Sequence, residues 1–193
     1  MTGRGGPLAD DAIARARGIG DLFCPSPSSF GSIEAVPAAT VPEPDRQLLH
    51  HRSHMTVTME RHHGCAVELR VVAERQPDRD GADFYAREIL LVRPDGAVVQ
   101  YGIMRIDLAA LDRETAAAIR GRVAPLGRIL VAAGLLCEVQ NVALLRIHAG
   151  PHLRRIVGAG DSLYGRVAEI AVDGSPTIEL LEIVVPAAVP PLP

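Results

Sequence analysis

The sequence predicts an α+β domain whose main layer is a sheet of six mostly antiparallel strands. Three observations support this class. Six segments alternate between apolar and polar residues, or stay apolar, over the length of a strand. The short sequences RPDG and VDGSP between consecutive segments are typical of tight turns. Two helix-type segments with start and stop signals interrupt the strands.

The first half of the domain is predicted to be a helix followed by an antiparallel meander. A helix is expected over residues 55–63, with Gly64 as its C-terminal cap. The segment CAVELRVVAER then alternates cleanly and predicts a strand. The segments FYAREILLV and AVVQYGIMRI, joined by RPDG, predict two further strands.

The second half is predicted to be a helical pair followed by three strands. Asp112 is a good N-cap for the helix RETAAAIR, which Gly121 closes. Pro125 is expected at the first position of a second short helix, and Gly134 lies beyond its end. The remaining strands are expected at residues 135–148, 163–172 and 177–185.

The two termini are expected to lie outside the folded domain. Leu8 to Arg17 is compatible with a short helix, but the segments that follow are rich in Pro, Ser and Ala and have little to bury. We therefore expect a poorly ordered lead-in at residues 1–45, the domain at residues 46–187 and a proline-rich tail at residues 188–193.

Composition excludes several classes of partner. The chain has 193 residues, which suits a single core, and its 48% hydrophobic and 22% charged residues are ordinary for a soluble protein. The net charge is −3 and the 20 basic residues, all arginine, are scattered, so no nucleic-acid partner is expected. There is no segment of transmembrane length and no apolar leader, which predicts a cytoplasmic, probably monomeric protein without a membrane partner.

Charged residues on apolar strands are the main functional signal. Alternation places Arg87 on one face of its strand with apolar neighbours, and places Glu182 likewise on the last strand. An unpaired buried charge costs several kcal/mol, so each needs a partner. Two interpretations remain open: a structural ion pair, with Glu182 or Glu88 as the partner of Arg87, or a polar ligand held between the two strands.

A third inward charge favours an anionic ligand. Arg166 shares a face with Tyr164, Ala168 and Ile170, so two cations and one anion are predicted to point inward. Backbone amides could assist at two loop-to-helix transitions, at Met55 and at Leu126 and Gly127. Each transition is equally compatible with an ordinary capped surface helix.

The histidines suggest a metal site less well than they first promise. His50 and His54 have the i, i+4 spacing of a metal-binding pair, with His62 and His63 nearby. No acidic residue or cysteine completes a ligand set, so we predict no metal. The three cysteines lack CxxC spacing and do not indicate a disulfide framework.

Five short blocks, taken in order, resemble the chorismate pyruvate-lyase (4-hydroxybenzoate synthase) family. They are LLHHRSHMT, FYAREILL, APLGRIL, LYGR and LLEIVVPA, spread over most of residues 47–187. The resemblance implies a six-stranded antiparallel sheet with helical flaps over a buried ligand pocket. It further implies the elimination of pyruvate from chorismate, which gives the aromatic acid 4-hydroxybenzoate and needs no metal or organic cofactor.

The resemblance also implies roles for particular residues. The guanidinium of Arg87 would bind the ring carboxylate with the backbone amides of Met55 and Leu126, and Glu182 would contact the 4-hydroxyl. As a hypothesis, Arg166 would hold the enolpyruvyl carboxylate and Glu182 would mediate proton transfer. Two features depart from the family pattern: His54 before Met55, and the long basic connection GPHLRRIVGAGD, which could form part of a flap.

Two alternatives belong to the same fold. One is a non-catalytic domain that binds small acids, as a sensor or an inactive paralogue; the other is a lyase giving a related hydroxybenzoate. Some transcription regulators carry such a binding domain behind a winged helix. The 45 residues before the predicted domain are expected to be too short, and too rich in Pro and Ser, to form one.

Overall fold

A computed structural model of the protein describes residues 7–24, 26–76, 84–122, 124–158 and 160–186. Its main layer is one antiparallel sheet of seven strands in the order β1-β5-β6-β7-β4-β3-β2. The strands are β1 (Gly31–Ala35), β2 (Glu68–Arg75), β3 (Phe84–Val92), β4 (Val98–Asp107), β5 (Cys137–Ala149), β6 (Ser162–Val172) and β7 (Ser175–Val184). The predicted α+β class is confirmed, and all six predicted strands are present.

Helices cover both faces of this sheet. They are α1 (Pro7–Gly20), α2 (Pro27–Phe30), α3 (Asp45–Leu49), α4 (Met55–His63), α5 (Arg113–Arg120), α6 (Leu126–Ala132) and α7 (Pro151–Val157), with two 3₁₀ turns at Ala38–Thr40 and Leu108–Ala110. Buried residues of α3 to α6 pack against one face, called here the first face. Buried residues of α1 and α7, together with Phe30, pack against the second face.

The N-terminal segment is the main difference from the sequence prediction. Residues expected to form a poorly ordered lead-in instead provide α1, α2 and the seventh strand β1. Helix α1 buries Ala12, Ala16 and Ile19 against the second face of the sheet. Strand β1 pairs with β5, from Gly31 opposite Ala149 onward. The sheet therefore extends beyond the predicted boundary at residue 46, while the predicted tail at 188–193 lies outside the described residues.

The predicted turns and caps are present with one correction. Asp173 and Gly174 both have positive φ, 49° and 84°, as a type I′ hairpin between β6 and β7 requires. Asp112 caps α5 by accepting a hydrogen bond from the Thr115 amide at 2.8 Å. Pro125 was expected as the first residue of α6 but is its N-cap, with an extended ψ of 144°, and the helix begins at Leu126.

The connection after β5 also differs from its expected position. The basic segment that was expected to form part of a flap over the pocket contains α7. Its buried residues Leu153 and Val157 belong to the core of the second face. The flaps on the first face are therefore built from other helices. None of the helices in the described ranges is long and apolar enough to cross a membrane.

Candidate functional site

A small cavity lies on the first face, between the sheet and the helices α4 and α6. All six residues singled out in the sequence line it: Met55, Arg87, Leu126, Gly127, Arg166 and Glu182. The cavity volume is about 40 Å³. This is room for about three water molecules, whereas pockets that hold drug-sized ligands measure about 300–1,000 Å³. A larger occupant therefore requires the helical cover to move outward.

Strand register explains why the three charged side chains meet. Arg87 on β3 lies opposite Met104 on β4, and Glu182 on β7 lies opposite Gly102 on the same strand. Glu182 also lies directly opposite Arg166 on β6. Because the first face carries alternate residues of each strand, all three side chains project toward α4 and α6. The apolar neighbours predicted for each of them belong to the core of this face.

Arg166 and Glu182 form an ion pair. The Nε of Arg166 donates to the Oε2 of Glu182 at 2.7 Å, with the arginine side chain fully buried and the carboxylate about one-tenth exposed. This is a cross-strand pair of opposite charges, which also neutralises each charge in the protein interior. The pairing resolves one alternative left open by the sequence: the partner of Glu182 is Arg166, not Arg87.

Arg166 also anchors the chain that leads into α4. Its Nη1 donates to the carbonyl of His51 at 2.9 Å and to that of Leu49 at 3.5 Å. Its Nη2 donates to the carbonyl of Ser53 at 3.2 Å. Five guanidinium N–H groups are available on an arginine, and here they tie β7 to three successive turns of the loop. The position of α4, the cover of the cavity, therefore depends on this side chain.

Arg87 is buried without a carboxylate partner among the described residues. Its Nε donates to the sulfur of Met104 at 3.2 Å, and its Nη1 donates to the Ile119 carbonyl at a long 3.4 Å. Its Nη2 is buried and has no hydrogen-bond partner. Thioether sulfur is a weak acceptor, so the guanidinium is poorly satisfied.

The other candidate partner of Arg87 points away from it. Glu88 projects to the second face, where its Oε1 accepts hydrogen bonds from Tyr101 at 2.5 Å and from His152 at 2.7 Å. Burial lowers the pKa of Arg87 from its ordinary value, partly offset by the nearby Tyr85. Arginine nevertheless stays protonated in proteins. Since Arg166 and Glu182 neutralise each other, Arg87 carries the excess positive charge that the sequence predicted.

Two histidines beside the cavity are held in their neutral form. Burial is the main cause of the lowered pKa of His51, and the charge of Arg166 adds to it. The Nδ1 of His51 accepts a hydrogen bond from the Ser53 amide at 3.0 Å, so protonation there would break this bond. Burial likewise lowers the pKa of His54, which follows in the same loop. In the described ranges no group of three His, Cys, Asp or Glu side chains is arranged to hold a metal.

The two helix starts bring backbone amides to the cavity. Met55 is the first residue of α4 and Leu126 the first residue of α6, so their amides have no partner within their own helices. A Cβ atom added to Gly127 would lie 3.0 Å from the Cβ of His54. A glycine at position 127 thus lets α6 approach the loop closely, which narrows the cavity.

Gln100 is a cavity residue that the sequence reasoning missed. It is 2% exposed, and its Nε2 donates to the Oε1 of Glu182 at 3.4 Å. Alternation along β4 places it on the same face as Gly102 and Met104. A lone polar residue on the apolar face of AVVQYGIMRI was therefore a usable signal of the same kind as Arg87.

Comparison with known proteins establishes the fold alone. No family model and no curated protein matches the sequence. Among solved structures, PhnF from Mycobacterium smegmatis is similar with a TM-score of 0.54 at 12% identity, covering 69% of this chain. This chain spans 64% of the length of that protein. The architecture is compatible with the chorismate-lyase-like class.

Two further solved structures resemble the chain more weakly. One is a GntR-family transcriptional regulator from Enterococcus faecalis V583, with a TM-score of 0.48, 10% identity and coverage of 62% of this chain and 94% of that one. The other is the ligand-binding domain of a putative GntR-family transcriptional regulator from Bordetella bronchiseptica. Its TM-score is 0.46 at 14% identity, with coverage of 62% and 85%.

The buried ion pair leads to a stability prediction. We expect Arg166→Met to lower the free energy of unfolding by about 3–5 kcal/mol, because it leaves Glu182 as a buried carboxylate without its countercharge. The double variant Arg166→Met/Glu182→Leu should recover part of this loss. Urea denaturation measures both. Arg146→Met, which breaks the exposed pair with Glu34, is the matched control and should have little effect; equal losses at Arg146 and Arg166 would contradict the prediction.

The histidines lead to a prediction about pH. Because folding holds the pKa values of His51 and His54 below the unfolded value of about 6.5, the unfolded chain binds more protons in this range. The free energy of unfolding should therefore be full above about pH 7 and fall as the pH drops to about 5.5. Urea denaturation at both pH values measures the slope, to which His63, with a pKa also lowered by burial, contributes.

A pair of variants separates these histidines from other titrating groups. The double variant His51→Gln/His54→Gln should lose most of the pH dependence between these two values. The control His50→Gln alters an exposed histidine of the same loop and should retain it. A double variant with the slope of the wild type would show that other groups cause it.

Proposed function

We propose that this chain is a small-molecule-binding domain that takes a small organic carboxylate. The observation that carries the proposal is Arg87: fully buried, facing the cavity, without an acidic partner among the described residues and with an unbonded Nη2. A buried cation in this state is costly. A ligand carboxylate would accept two parallel hydrogen bonds from the guanidinium and neutralise it.

The groups around Arg87 suit this ligand. Its present acceptors are a thioether and a distant carbonyl, both of which a carboxylate would outcompete. The amides of Met55 and Leu126 lie at helix starts that line the same cavity and could donate to the second carboxylate oxygen. Arg166 is already saturated by Glu182 and the loop carbonyls, so we assign the carboxylate to Arg87.

The rest of the ligand is expected to be apolar and compact. The cavity walls are aliphatic, with side chains from β2, β3, β5, β6 and β7: Leu69, Ile89, Leu91, Val139, Ile170 and Leu180. Aliphatic walls favour a hydrocarbon or aromatic body through apolar burial. Because the closed volume is about 40 Å³, binding of such a body requires α4 and α6 to open and then close over it.

Binding without turnover is favoured over catalysis by the state of Glu182. A general acid must carry a proton, and an apolar setting without countercharge is what keeps a carboxyl group protonated. Here Arg166 donates to this carboxylate at 2.7 Å, which favours its ionised form. The notebook of interactions around Glu182 therefore supports an electrostatic and positioning role more than an acid role.

The second candidate function is a lyase that eliminates pyruvate from chorismate, giving 4-hydroxybenzoate or a related hydroxybenzoate. The observation in its favour is that Arg87, Glu182, Met55 and Leu126, to which the resemblance assigns roles, line one cavity. An ionised Glu182 could still act as a base or contact the 4-hydroxyl. In this reading Arg87 and the amides would orient the ring carboxylate, and the closed cover would exclude water.

The binding proposal predicts opposite effects of one substitution on affinity and stability. Arg87→Met should weaken binding of benzoate by about tenfold to a hundredfold, because charge-assisted hydrogen bonds contribute about 1.5–3 kcal/mol. The same variant should leave the free energy of unfolding of the unliganded protein unchanged or raised, because an unpaired buried charge is removed. Isothermal titration calorimetry and urea denaturation give the two readouts.

The control for Arg87 is Arg70→Met, which alters an exposed arginine on β2. It should leave benzoate affinity unchanged. If Arg87→Met destabilised the protein strongly and left affinity unchanged, Arg87 would be a structural residue and the proposal would fail.

The lyase candidate has its own test. Purified protein incubated with chorismate should release pyruvate if this candidate holds, measured with a coupled lactate dehydrogenase assay. Glu182→Gln should then lower turnover by about 10²–10⁴-fold, the usual contribution of a positioned acid–base group. Chorismate that binds without release of pyruvate would exclude the lyase and leave the binding function intact.

A further inference from the structure

We propose that Gln100 is a specificity-determining residue that accepts a hydrogen bond from the ligand. The inference rests on the proposed function and narrows its ligand class. The ligand would be a small carboxylic acid that carries a hydroxyl or amino group at the end remote from the carboxylate.

The position of Gln100 places it inside the cavity. It lies on β4, opposite Leu91 on one side and Val184 on the other, in the centre of the sheet. Its side chain is 2% exposed and lines the same cavity as Arg87. An amide on this apolar face needs hydrogen-bond partners, because a buried polar group without one costs about 1–3 kcal/mol.

Glu182 fixes which way the Gln100 amide faces. A carboxylate only accepts hydrogen bonds, so the group turned toward the Oε1 of Glu182 must be the NH₂, at 3.4 Å. The carbonyl Oε1 of Gln100 is left buried, with no hydrogen-bond partner among the described residues. Buried acceptors in this state are rare in folded proteins and call for a partner.

The cavity therefore offers two unsatisfied groups of opposite kind. The Nη2 of Arg87 is an unbonded donor, and the Oε1 of Gln100 is an unbonded acceptor. Arg87 lies opposite Met104, so Gln100 is four residues further along β4, which is about 13 Å of strand. A ligand that satisfies both must present a carboxylate at one end, a hydrogen-bond donor at the other and an apolar body between them.

The experiment compares ligands that differ only in the donor. Benzoate, 3-hydroxybenzoate, 4-hydroxybenzoate and 4-methoxybenzoate are titrated calorimetrically into the full chain. We expect wild-type protein to prefer at least one hydroxybenzoate over both benzoate and the methoxy compound by about two- to tenfold, the range of one net hydrogen bond. Gln100→Met keeps the side-chain length but removes the acceptor, so this preference should fall to about one while benzoate affinity is retained.

Matched variants complete the test. Gln140→Met makes the same substitution on β5, outside the cavity lining, and should keep the wild-type preference. Gln100→Leu serves as a second variant should Gln100→Met fail to fold. Equal wild-type affinities for all four ligands, or a preference that survives in the folded Gln100 variant, would overturn the role of Gln100 while carboxylate binding stands. Failure of all four ligands to bind wild-type protein would overturn the proposed function and this inference together.

Discussion

The ion pair between Arg166 and Glu182 is the interaction on which the rest of the site depends. It joins the central strands β6 and β7 across the first face of the sheet, where neither charge could remain alone. Through the same guanidinium it holds the loop that leads into α4, and through the carboxylate it orients Gln100. By neutralising Glu182 it also leaves Arg87 as the uncompensated cation of the cavity.

That arrangement separates the residues that maintain the cavity from the residue left available for a ligand. Arg166 makes its full complement of protein contacts, whereas Arg87 has a sulfur, a distant carbonyl and an unbonded nitrogen. Unsatisfied buried groups lower stability, and proteins commonly accept this cost where they bind or react. A closed volume of about 40 Å³ fits the same picture, because an empty binding site that contracts loses less packing than an open one.

Much of this could be predicted because the signals are local. Period-two alternation identified six strands and placed Arg87, Arg166 and Glu182 on apolar faces, since side-chain direction along a strand follows from the backbone. The seventh strand β1 and helix α1 were missed. The buried face of α1 consists mainly of small residues such as Ala12 and Ala16, and β1 is defined by pairing with β5, more than a hundred residues later in the chain.

By itself, the sequence determined the α+β class, the strands and the direction of the inward charges. Only the tertiary structure decided which charges pair, because a pairing depends on which strands are neighbours and in what register. Glu88 follows Arg87 directly in the chain, yet the two side chains project to opposite faces of the sheet. Glu182 meets Arg166 rather than Arg87 because β7 lies between β6 and β4 and its register puts the two residues directly opposite.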